Sequence, residues 1–444
     1  MLRRIEVCCG LFWVALGSAG CGSDASDASV ASAGSAMAGA GASASGGGSP
    51  AGGAANSGGS PAGGAVNSGG SPAGGAANGG SLGSSGAAPT GGNGAVPTDC
   101  TMAPADSCPM PTGISFACKK RFGLGVNYAW RNFGADFGGL AMWSIQGVSG
   151  AAAGYAADLQ EMKTGGASLI RWWVFPDFRS DGVQFDASDD PTGVSPTALA
   201  DVAKALELAE QADVYLVPTL FSFDGFRPKK TSEGVVIRSI TGLVNTPARR
   251  AKLIANVVKP LAHAAATSGH SARLIGWDIV NEPEWAIMPT GQNSQDFDPN
   301  DDLDPVSLAD MKALISEAAA VLKQETPAAF TSVGWAAAKW SWAFGDLPLD
   351  VNQPHIYGWV NQYWPYTLTP DKLGYPAHPT IMGEFFLQSM PFSDSGDNTM
   401  FGQILESWWT NGYAGAWPWH HFEQAANLPL LKAFADSKGC PAKF

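Results

Sequence analysis

Gly276-Trp277-Asp278-Ile279-Val280-Asn281-Glu282-Pro283-Glu284-Trp285 is the stretch that decides how this chain is read. Its β-branched and aromatic residues favour a strand, and Pro283, which has no N–H to give to a sheet, ends it. Glu282 then becomes the last strand position. A proline also disfavours helical backbone in the residue before it, which predicts an extended Glu282. Glu284 is expected to be exposed. A second acid stands alone among apolar residues in Thr380-Ile381-Met382-Gly383-Glu384-Phe385-Phe386-Leu387. Charges are seldom buried without a reason, and cleaving a glycosidic bond takes one carboxylate on each side of it. A fold that brings Glu282 and Glu384 together is therefore the one to look for.

Outward from these two runs, strand-like stretches recur at Phe122 to Trp130, Ser168 to Phe178, Asp213 to Phe226, Arg273 to Glu282, Phe330 to Ala336, Val351 to Trp359, Thr380 to Phe386 and Tyr413 to Trp419. Helical patterns lie between several of them. Ser195 with Pro196 opens one, with Leu199, Val202, Ala203 and Leu206 on one face. Asp304 with Pro305 opens another, with Leu308, Met311, Leu314, Ile315 and Leu322 as its buried stripe. Further helices are expected from about Pro247 to Thr267 and from Thr399 to Thr410, while those after the fifth and sixth strands are poorly marked. Strands alternating with helices imply parallel pairing, and eight units close into a single (β/α)8 TIM barrel. In such a barrel the C-terminal strand ends carry the chemistry. Glu282 on the fourth strand and Glu384 on the seventh would then face one cleft.

The barrel occupies residues 100–444. Before it, residues 1–20 read as an export signal: Met1-Leu2-Arg3-Arg4 is basic, and Val7 to Leu16 is apolar but too short to span a bilayer. Ser18-Ala19-Gly20-Cys21 resembles a lipoprotein cleavage site, so Cys21 is expected to carry lipid and to tether the protein to an outer membrane or cell surface. Ordinary secretion is the alternative. Residues 21–99 are almost wholly Gly, Ala, Ser, Asn and Pro, too poor in apolar bulk to offset the entropy of folding, and are read as a disordered linker. The repeats beginning at Gly47, Gly58 and Gly69 carry no large apolar residue to stack. As a coil the linker would span about 50 Å.

The formal charge of −13 and the lack of a basic run argue against nucleic acid as a partner. Cys100, Cys108, Cys118 and Cys440 allow up to two disulfides in three pairings, and a bond from the first three to Cys440 would tie the two ends of the domain together. His420-His421 and His355 show no zinc spacing, so neither metal nor cofactor is expected. Asp296, Asp298, Asn300 and Asp304 follow calcium-loop spacing, but Asp301 and Ser307 stand where that loop needs Gly and Glu. A solvated acidic loop is the expectation.

Asn281-Glu282-Pro283 on the fourth strand with Glu384 on the seventh resembles the clan A glycoside hydrolases, most closely family 5, the cellulase and β-mannanase group. The resemblance implies a retaining mechanism with Glu282 as general acid/base and Glu384 as nucleophile. It further implies that Arg171 supports the nucleophile, Asn281 bonds the sugar 2-hydroxyl, His355 and Tyr357 form the strand-six pair, and Trp417 floors the cleft. Phe221-Ser222-Phe223-Asp224 departs from the histidine or asparagine that many members carry after strand three. Trp130, Trp173, Trp285, Trp359, Trp364 and Trp419, near predicted strand ends, offer flat faces for pyranose rings. The expected protein is thus a monomeric enzyme acting on a β-1,4-linked polysaccharide, with mannan favoured over glucan on the resemblance alone. A carbohydrate-binding lipoprotein without turnover is the rival, and it would not need both glutamates.

Overall fold

The computed structural model describes residues 96–444 apart from 98, 102, 292–294, 358–363 and 386–398. The export segment, Cys21, the linker repeats and Trp359 lie outside the described residues.

Eight parallel strands close into a barrel: β1 (Gly123–Asn127), β2 (Leu169–Trp173), β3 (Tyr215–Ser222), β4 (Gly276–Asn281), β5 (Phe330–Trp335), β6 (Gln353–Ile356), β7 (Ile381–Met382 and Glu384–Phe385) and β8 (Gly415–Ala416). Each pairs with the next, and β8 pairs with β1. Strand β7 is split at Gly383, its first half pairing β8 and its second half β6. The break makes room: a Cβ at position 383 would lie 2.4 Å from Cγ of Gln353.

All eight predicted strands are present, and the helices explain themselves locally. Helix α1 (Ala152–Thr164) follows β1, and α2 (Pro196–Ala212) is capped by Ser195, whose hydroxyl accepts from the Ala198 N–H. The expected helix from Pro247 to Thr267 forms but widens into a π turn at Ile254–Val258. Pro260 has no N–H for the carbonyl four residues earlier, and the wider turn accommodates its ring. The cap expected at Asp304 falls instead at Ser307, which accepts from the Asp310 N–H and opens Leu308–Glu325. Val306 is held extended, its N–H donating to Ala286, so the helix cannot begin sooner. After β5 there is only a 3-10 turn, Ala338–Trp340, and no helix follows β6 among the described residues.

The strand-start face is closed by a hairpin, Ile114–Phe116 and Lys119–Arg121. Ile114 and Phe116 pack on Leu169, Val217, Ile275, Phe330, Val351, Ile381 and Ala414, residues at or near the starts of seven strands. Cys100 is bonded to Cys118 and Cys108 to Cys440, and the second bond joins the two ends of the domain. The opposite face, at the strand C-termini, holds the polar residues.

Candidate active site

Arg171 on β2 organises the mouth. It is fully buried, and all five of its N–H groups are used. Its Nε and Nη2 donate to Oδ2 of Asp278 at 2.9 and 2.6 Å, and Nη2 also reaches Oδ1 of Asn281 at 2.6 Å. Nη1 donates to Asn127 at 2.9 Å and to Oε1 of Glu384 at 2.5 Å. The other oxygen of Glu384 accepts from the Tyr357 hydroxyl at 2.7 Å. Burial pushes the Glu384 carboxyl up, while His355, Arg171 and Tyr357 pull against that rise and favour the anion.

Glu282 lies across from it. Its Oε1 is 2.7 Å from Nδ1 of His355, and its Oε2 accepts from the Trp285 indole N–H at 2.8 Å. Burial pushes its carboxyl up to about 7, against the Trp285 N–H and the Arg171 charge. The side chain keeps 13% exposure, enough to meet a ligand. One oxygen each of Glu282 and Glu384 and one nitrogen of His355 lie within 4.8 Å of one another. Such a trio could face a metal ion, but hydrogen bonds already engage both oxygens of each glutamate, and a guanidinium sits against Glu384. The donor set fits paired carboxylates better than a cation site.

The Glu282 backbone is not extended. Its φ and ψ are 48° and 51°, the left-handed region that a non-glycine residue rarely adopts. Its N–H still donates to Gly334 on β5, while its carbonyl accepts from the Trp285 N–H, so the chain must turn at this one residue. Pro283 disfavours the right-handed turn, leaving the left-handed one, at a cost of roughly 1–3 kcal/mol. The 3-10 turn Pro283–Ala286 brings Trp285 back over the carboxylate.

Two further expectations are corrected. Glu284 is fully buried, its Oε2 accepting from the Ala336 N–H at 3.1 Å, because the same turn folds it against the loop after β5. Trp417 does not floor the mouth: it is fully buried among the strand-start residues, its indole N–H donating to Gly123 at 2.9 Å. Gly125 leaves the space for its ring. Trp419, two residues on and so on the same side of the chain but nearer the mouth, packs with Trp130, Trp173 and Phe133.

Arg171, Asn281, His355, Tyr357, Glu282 and Glu384 are thus brought together. Because arginine only donates, the Asn281 atom facing it is the oxygen, which turns the NH2 group elsewhere. Trp364 packs on the core. At the departure after β3, Asp224 is buried, accepts from Ser222 and faces Arg227. Of the residues with calcium-like spacing, Asp296 is occupied by the Thr290, Gly291 and Phe297 N–H groups, which hold its carboxyl down at about 2.

Sequence reading missed Asp278, Asn127, the Trp285 contact and Gln353. Asp278 carried the same signal as Glu384, a lone charge in an apolar strand. Asn127 is a lone amide at the end of β1, and its Nδ2 ties β1 to β7 and β8 through the carbonyls of Gly383 and Trp417.

A parallel eight-stranded barrel with Asn-Glu at the end of β4 and a glutamate on β7 is the arrangement that the resemblance to the clan A, family 5 glycoside hydrolases implies, and the fold agrees with that resemblance. In particular, the chain is similar to the mannan endo-1,4-β-mannosidase of Mytilus edulis, 24% identical over 354 residues that span 72% of this chain and 89% of that protein. Among solved structures it matches the β-mannanase of the blue mussel Mytilus edulis with a TM-score of 0.60 and 23% identity, over 74% of this chain and 97% of that one. It also matches the β-1,4-D-mannanase of Cryptopygus antarcticus, with a TM-score of 0.58 and 20% identity over 72% and 92% of the two chains. No family model matches the chain.

Proposed function

We propose that this chain is a retaining glycoside hydrolase that cleaves β-1,4 bonds in mannan. The observation that carries the proposal is the spacing of Glu282 and Glu384, one oxygen of each lying within 4.8 Å of the other. Retaining enzymes hold their carboxyl groups at about 5–5.5 Å, whereas inverting ones leave about 6.5–9.5 Å for a water. Mannan, rather than another β-glycan, comes from the names of the relatives.

In the proposed reaction Glu384, whose anion Arg171 and Tyr357 favour against the upward push of burial, attacks the anomeric carbon. Glu282 gives its proton to the departing oxygen, and the bond between sugar and leaving group breaks. The glycosyl ester on Glu384 is then attacked by water, which loses its proton to Glu282, and both carboxyls return to their starting states. The NH2 group of Asn281 is assigned to the sugar 2-hydroxyl, and Trp419 replaces Trp417 as the stacking face.

Because Glu282 must begin protonated and titrates near 7, kcat/KM on mannan should fall as pH rises through about 7. Glu282→Gln should abolish this limb together with most of the activity. Reducing-sugar release from mannan, glucomannan, carboxymethylcellulose and xylan tests the whole reading. Binding of mannan with no release by the wild type would transfer the case to the non-catalytic lipoprotein.

We also infer export and attachment through lipid on Cys21; among the described residues no helix is long and apolar enough to cross a membrane. Labelled palmitate should enter the wild type and not Cys21→Ser, and incorporation into neither would leave ordinary secretion.

A further inference from the structure

Behind Glu282 runs a buried line of side chains that the proposed reaction does not use. His355 Nδ1 sits between the two carboxylates, 2.7 Å from Oε1 of Glu282 and 3.5 Å from Oε2 of Glu384. On its far side, Nε2 lies 3.4 Å from Nε2 of Gln353. The oxygen of the same amide accepts from the Ser332 hydroxyl at 3.1 Å, shorter than that hydroxyl's other acceptor, the Trp277 carbonyl at 3.4 Å. Ser332, Gln353 and His355 are all fully buried, on β5 and β6.

Two glycines make the line possible. A Cβ at 383 would strike Gln353, and a Cβ at 334 would lie 2.9 Å from Nε2 of His355. An amide nitrogen only donates, so the His355 nitrogen facing it must accept. A neutral imidazole with a bare Nε2 carries its proton on Nδ1. The ring stays neutral here, since burial holds its pKa down at about 4, with Glu384, Arg171 and Asp278 as the charged groups around it.

We propose that Gln353, held by Ser332, is a positioning residue that fixes the His355 proton on Nδ1, where one N–H serves whichever glutamate carries the negative charge. The inference rests on the reaction proposed above. Before attack the charge is on Glu384. Once Glu282 has given up its proton and Glu384 has become an ester, the charge is on Glu282, and the same N–H donates to its Oε1. No proton leaves the ring. With the opposite tautomer, a lone pair would face both carboxylates. It would draw the Glu282 proton away from the leaving group at first and repel the Glu282 anion afterwards.

The test uses the full-chain protein with nitrogen-15 in its histidines, and His355→Asn to assign the signal among the six. Gln353→Glu offers Nε2 an acceptor and should reverse the tautomer. Gln353→Met keeps the volume without the donor and guards against a misfolded acidic variant. The wild type should show Nδ1–H and Gln353→Glu should show Nε2–H. For both variants kcat/KM on mannopentaose should fall ~10- to 100-fold, part of the full general-acid effect. On a dinitrophenyl β-mannobioside, whose leaving group needs no proton, kcat/KM should change by less than about 3-fold. A wild-type Nε2–H signal, an unchanged tautomer in Gln353→Glu, or equal losses on both substrates would overturn the proposal. If the wild type hydrolyses no glycan, the hydrolase reading fails, and with it the service to the two glutamates, while the spectra still decide the tautomer.

Discussion

Glu384→Ala should lower mannan hydrolysis on the order of 10⁴-fold or more, the scale of losing a covalent nucleophile. Arg171 and Tyr357 would still bracket the space, because Arg171 is also anchored by Asp278, Asn127 and Asn281. Azide should therefore enter where the carboxylate was and attack an activated aryl β-mannoside from the same side. The product would be an α-glycosyl azide, with configuration inverted in that single displacement. In Glu282→Ala the ester on Glu384 still forms, and azide entering from the other side should release the β-glycosyl azide. The two products distinguish the roles by stereochemistry as well as by rate. If they appear the other way round, the assignments of Glu282 and Glu384 must be exchanged. If Glu384→Ala keeps more than roughly a hundredth of the activity, Glu384 is not the nucleophile.

Arg171→Met should cost about 3–5 kcal/mol of stability, because it leaves buried carboxylates without their cation. No other residue could satisfy the same geometry. The guanidinium fork meets Asp278 through two nitrogens while its third reaches Glu384, and a lysine ammonium is a single point with three donors. Arg171→Lys should therefore recover only part of the loss. The pH dependence has a definite sign. Removing the cation raises the folded-state pKa of Glu384 further above its unfolded value. The Glu384 share of the penalty is then full above the variant's raised pKa and vanishes below the wild-type folded pKa, which burial already holds above the ordinary glutamate value. Denaturant titrations at several pH values read this directly, and a wild-type stability for Arg171→Met at neutral pH would show that the network does not hold the mouth together.

The residues explain why some of this could be read in one dimension and some could not. Strand identity is local: a β-branched run ended by Pro283, or a glutamate alone among Ile381, Met382 and Phe385, announces itself. Direction across the barrel is not local. Trp417 and Trp419 both look like stacking residues, and only the closing pair β8 to β1, with Gly125 leaving room for one ring, sends Trp417 inward. The left-handed Glu282 was hidden for a similar reason, since the carbonyl of Gly334 that fixes it lies 52 residues away in sequence. Gln353 read as an unremarkable polar residue until Ser332 and His355 were found on either side of it. Asp278 was legible and was passed over, although it met the criterion that picked out Glu384.

The hairpin that closes the strand-start face also decides how the protein can be mounted. Val96, the first residue described, packs against that closed layer, as does Phe444 at the other end. Whatever is joined directly to either of these residues, such as a resin bead or a fused domain, is attached at the base of the barrel. With such a direct attachment the cleft lies on the opposite face of the barrel from the joint, open to a stiff, insoluble polymer.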